Sequence, residues 1–182
     1  MLKLDPEAIF SGRQSYADAV REVRYSDLYT YTDEVYNEIG AIIANTNDVA
    51  VSFVPHDPAS EEGGEWGWTL GHVIAHLTAT YEEAAAAAAM MARGVNLEQR
   101  LRYEVPWETI TSAEQVRERV EESHRMCRAL LDAWPKAPHL EVEFTHIPQL
   151  GPLNAIGRYV LGIFHAQSHL EQLREIMRQV AS

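Results

Sequence analysis

Eight histidines occur in the chain, at positions 56, 72, 76, 124, 139, 146, 165 and 169. Random placement of that many would give roughly 0.35 pairs four residues apart. Two such pairs are present, His72/His76 and His165/His169. On a helix, side chains four apart differ by about 40° around the axis and lie about 6 Å apart along it, close enough for two imidazoles to grip one metal ion. A third imidazole from another helix would complete a three-nitrogen site with its remaining positions left to water or substrate, the arrangement of catalytic rather than structural metal centres. A cation in such a site lowers the pKa of an entering thiol or water and so supplies a nucleophile at neutral pH.

Helical wheels say which histidines can meet. With His165 at zero, His169 falls near +40°, Gln172 near −20° and Ile176 near +20°, at about 100° per residue. Glu171, Arg174, Glu175 and Arg178 occupy the opposite arc, so the histidine face points into the protein. With His76 at zero, Leu70, Val73, Ile74, Leu77, Tyr81 and Ala84 form the apolar arc, and Glu82 marks the expected solvent side. His76 touches the apolar edge, whereas His72 lies about 40° further toward solvent. If one histidine of helix two joins His165 and His169, geometry favours His76. Glu83 shares the face of His76 and is, with His72, a candidate fourth ligand or orienting group. His146, shortly before the last helix, is a candidate neighbour. An inward histidine is equally satisfied by a carbonyl in a core, so each residue alone carries little; the joint placement carries the argument.

Four segments with a 3.6-residue apolar period must position these groups. The first spans about Asp27 to Asn45, with Leu28, Val35, Ile39, Ile42 and Ile43 on one stripe. The second follows Trp68 through an alanine run to about Arg93, where Gly94 is a stop signal. The third begins at Thr111, which with Glu114 has capping-box spacing, carries Val116, Val120, Cys127, Leu130 and Leu131, and closes before Pro135. The fourth opens at Gly151-Pro152 and runs to about Val180. Residues 54–67, 94–110 and 135–151 are dense in turn formers, 49–53 alternate weakly as a short strand would, and 14–24 suit a short extra helix. Four long helices with almost no strand signal predict an all-α four-helix bundle, a single domain over residues 1–182 with residues 1–25 as an N-terminal extension.

Composition sets the class. The chain has 182 residues, with 15 Lys+Arg against 27 Asp+Glu for a net charge of −12. That acidity argues against nucleic acid as a partner, since affinity for phosphates rests on basic side chains. The longest uncharged apolar run, Ala84 to Ala92, is less than half of the ~20 residues a membrane-spanning helix requires. Cys127 is the single cysteine, so no internal disulfide forms, and the N-terminus lacks the apolar core of a signal peptide. A cytoplasmic protein is expected. Cys127 continues the apolar stripe of the third helix and reads as a packing residue.

These residues resemble the DinB-like family, whose pattern is Trp-Ser/Thr at the start of helix two, a His eight residues after that Trp, and His-x3-His-x2-Gln in the last helix. Here it reads Trp68-Thr69, His76, His165, His169 and Gln172. The resemblance covers roughly residues 26–180 and selects His76 over His72, as the wheel does. It implies a four-helix bundle with one divalent metal ion (nickel, zinc, iron or manganese in different members) on three histidines, often in a homodimer. The alanine-rich second helix, which could pack closely on another copy, agrees with self-association. Relatives that the resemblance brings in include bacillithiol S-transferases and mycothiol-dependent maleylpyruvate isomerase. It thus implies a metal-dependent transferase joining a low-molecular-weight thiol to a small electrophile, with hydrolysis or isomerisation as related chemistry. Two other readings stand beside it. One is a stress-response protein that binds metal or ligand without turnover. The other is a purely structural bundle whose inward histidines are satisfied by hydrogen bonds.

Overall fold

A computed structural model describes residues 1–56, 67–99 and 105–182. The helices are α1 (Pro6–Phe10), α2 (Tyr16–Val20), α3 (Tyr25–Ile43), α4 (Asp48–Ser52), α5 (Leu70–Ala92), α6 (Ala113–Asp132), α7 (Ala155–Ser168) and α8 (Leu170–Val180). The architecture is a helical bundle built on α3, α5, α6 and the nearly continuous α7–α8, with short 3-10 turns at Trp107–Thr109 and Pro148–Leu150. Among the described residues strand pairing is limited to one isolated antiparallel bridge, Phe144 with Leu153. The turn-rich segments expected at 54–67 and 94–110 lie partly outside the described residues.

Local chemistry accounts for the helix ends. Thr69 accepts the His72 backbone N–H at 3.2 Å and starts α5, and Gly94, at φ +85°, ends it with a backbone that side-chain-bearing residues seldom adopt. The capping box of α6 sits one residue later than expected. Ser112 accepts the Gln115 N–H at 3.2 Å, and the Gln115 side chain accepts from Ser112 N–H at 3.0 Å. Helix α7 begins at Asn154, whose side chain accepts the Gly157 N–H at 3.0 Å, rather than at Gly151-Pro152, because a 3-10 turn and the 144–153 bridge occupy the preceding chain. Residues 49–53 are not a strand: Asn47 caps α4 by accepting the Ala50 N–H at 3.0 Å.

Helix α5 is the centre of the bundle, with α7 on one side and α6 on the other. The expected solvent position, Glu82, is therefore 3% exposed and paired with Arg119 of α6. Most of the alanine run is likewise covered inside the chain, with Ala84, Ala85 and Ala88 fully buried and Ala86 half-buried. Close approach of α5 and α7 depends on Gly162. A Cβ there would stand 2.7 Å from the Tyr81 ring and 2.8 Å from Ala84 Cβ. The N-terminal extension docks on α7: Tyr16 OH donates to Gly157 O at 3.2 Å, and Gln167 Nε2 donates to Leu2 O at 3.2 Å.

Candidate metal centre

His76 projects from the second turn of α5, His165 from the last turn of α7, and His169 from the junction of α7 and α8. Their Nε2 atoms converge. His76 and His165 are 3.2 Å apart, His165 and His169 are 3.4 Å apart, and all three ligand atoms lie within 4.8 Å of one another. Two nitrogens bound to one tetrahedral ion at about 2.05 Å are separated by about 3.3 Å, so the His76–His165 and His165–His169 pairs are spaced as they would be around a shared cation. Hydrogen bonding alone fits less well. The Nε2 of His165 has either one proton or one lone pair, yet it faces two other Nε2 atoms at bonding distance. The residues present therefore fit a metal.

The backbone is adapted at the same place. His169 N–H turns to Ala166 O at 3.3 Å instead of continuing the α-helical ladder, and Ser168 Oγ donates to His165 O at 2.7 Å, taking up the carbonyl that the break would strand. Such breaks in a helix recur at functional sites. Gln172, one turn on, places Oε1 2.8 Å from His169 Nδ1. An Nδ1–H donated to that oxygen leaves Nε2 as the lone-pair nitrogen aimed at the cluster. Burial pushes the His169 imidazole below its ordinary pKa, with the Gln172 bond acting in the opposite direction, so the neutral, ligating form is favoured.

Aromatic rings wall one side. Trp68 stacks on His72 with centroids 4.2 Å apart, meets His76 edge-on at 4.8 Å and lies 6.3 Å from His169. His72 is sandwiched between Trp68 and Trp107, 4.8 Å from the latter, and stays outside the cluster. Glu83 also stays outside it: its carboxylate meets the buried Arg158 at 3.2 Å, which binds α5 to α7. His146 is half-buried and is not part of the cluster. His124 bonds Asp33 at 2.8 Å and stacks on Tyr36, and His139 bonds Glu141 at 2.6 Å. Cys127 is fully buried, with burial pushing its thiol up to about 12, so it is not a nucleophile at neutral pH. Trp107 is the site neighbour that sequence reasoning missed, because it lies in a turn-rich stretch with no periodic signal.

A helical bundle with three convergent histidines defines the class, and family comparison gives it a place. A profile of the DinB superfamily matches residues 28–173. The chain belongs to the DinB superfamily. No curated protein and no solved structure matched it. The first 27 residues precede the matched stretch. Among the described residues no helix is long and apolar enough to cross a membrane.

Proposed function

We propose that His76, His165 and His169 hold one divalent metal ion, nickel, zinc, iron or manganese, and that the protein is a transferase joining a low-molecular-weight thiol to a small electrophile. The convergence of three Nε2 atoms from two separate helical segments carries this reading. When bound, the ion would supply the positive charge that keeps an entering thiol ionised at neutral pH. The chain's own contribution is positional. Gln172 fixes the ring of His169, and Trp68 and the His72–Trp107 stack line one flank. In the reaction class proposed, sulfur forms a bond to an electrophilic carbon, the leaving group departs with its electron pair, and the thiol proton passes to solvent.

The test is conjugation of 1-chloro-2,4-dinitrobenzene with bacillithiol, mycothiol, cysteine or glutathione, read as chloride release and adduct mass. Protein loaded with each of the four metals should accelerate one of these pairs, and the His76→Ala variant should not. Rates equal to those of the free metal ion for every thiol would overturn the transferase. A homodimer in the cytoplasm belongs to the same proposal; it rests on the family resemblance, since most of the alanine run is occupied within the chain. Light scattering at micromolar concentration reads the dimer directly, and a monomer mass would contradict it.

A further inference from the structure

A cavity of about 530 Å³ lies between the N-terminal extension and the outer side of α7–α8. Leu2, Leu4 and Phe10 line it from the extension, Leu161 and Phe164 from α7, and Ile147 from the loop before α7. Volume and lining are those of a small-molecule site, apolar walls with a few polar groups. Of the three clustered histidines, His165 alone also reaches this cavity. The extension that forms one wall lies ahead of the matched superfamily stretch.

We propose that this cavity binds a small uncharged apolar molecule. The charge at its rim selects against an acid. Arg174 has its two terminal nitrogens engaged by Glu171 and Glu38, and Met1, also in the lining, has its ammonium engaged by Glu34. An entering carboxylate would have to displace one of these carboxylate partners and would meet the negative charge of the others, whereas a neutral hydrocarbon or fused-ring body lies against mainly apolar walls. The inference stands apart from the metal reading, because neither the walls nor the rim require an ion.

The test uses the full chain after chelator treatment, so a failure here is separable from a failure to bind metal. The neutral probe N-phenyl-1-naphthylamine is titrated by calorimetry, alongside dodecanol and dodecanoate. The expected result is saturable one-site binding of the probe with a micromolar Kd, about tenfold or more weakened by either Leu4→Trp or Ile147→Trp, and dodecanol bound about tenfold more tightly than dodecanoate. Circular dichroism checks that each variant is folded; Leu4 is only half-buried at the rim, so Leu4→Trp carries the test if Ile147→Trp does not fold. Absence of saturable binding, unchanged affinity in folded Leu4→Trp, or dodecanoate bound as tightly as dodecanol would overturn the proposal.

Discussion

His169 Nδ1 lies 2.8 Å from Gln172 Oε1, and that contact turns the opposite nitrogen of the ring toward His165. A ligand's second nitrogen is where a protein sets tautomer and orientation, and losing such a partner typically lowers metal affinity 10–100-fold. Gln172→Leu, which keeps bulk but removes the acceptor, is expected to weaken metal binding by roughly that factor. Gln172→Glu, which keeps an acceptor, should retain most of it. Competition titration against a chromophoric chelator gives both numbers.

His72 and His76 share a helix face, but only His76 reaches the cluster. His72→Ala should leave metal stoichiometry unchanged, while loosening the stack with Trp68 and Trp107. Its signature should be a change in tryptophan fluorescence without loss of metal. Loss of metal in His72→Ala, with full retention in His76→Ala, would reverse the ligand assignment.

The pair Glu83–Arg158 is buried at 3% and 2% side-chain exposure and stands apart from the histidines. Removing one member takes an ionic partner from the other buried charge, and breaking a buried pair in this way costs up to about 3–5 kcal/mol. Glu83→Ala should therefore lower Tm strongly, yet the folded fraction should bind metal at wild-type stoichiometry. If Glu83→Ala instead remained as stable as wild type and lost metal, Glu83 would be a ligand after all.

Acid should weaken the site. Burial lowers the folded-state pKa of His169 below its unfolded value near 6.5, so the unfolded chain takes up the proton first. The stabilisation from this neutral ring is fully present above about pH 6.5 and is lost as pH falls from there toward the lower folded-state value. Chelator-treated protein should show a falling urea midpoint over that interval. Metal-loaded protein should release its ion in the same direction, because protons compete for the ligating nitrogens.

At Gly162, an added Cβ would press on Tyr81 and Ala84 where α5 and α7 meet. Gly162→Ala is expected to cost about 1–3 kcal/mol, the usual range for overpacking, measurable by thermal or urea unfolding.

Periodic, local features were legible in the sequence, and contacts between distant segments were not. The i,i+4 pair His165/His169 and the inward edge of His76 follow from helical geometry and lead to the cluster. The α6 cap sits one residue later than expected because Thr111-x-x-Glu114 and Ser112-x-x-Gln115 satisfy the same pattern, and the hydrogen bonds form at the second. Glu82 read as solvent-facing because its partner, Arg119, lies 37 residues away on another helix. The break at His169 leaves no periodic trace, since the apolar pattern continues through Leu170, Leu173 and Ile176. Trp107 acquires meaning only from the folding of its loop against His72.

The central claim is that His76, His165 and His169 together bind one divalent ion. Elemental analysis of protein produced without a histidine tag, and supplied at neutral pH with zinc, nickel, manganese or iron, tests it most directly when paired with the variant carrying all three His→Ala changes. About one ion per chain in the wild type, and none in a folded triple variant, is the predicted result. A wild-type protein that retained none of the four metals, or a triple variant that retained a full equivalent, would contradict the account.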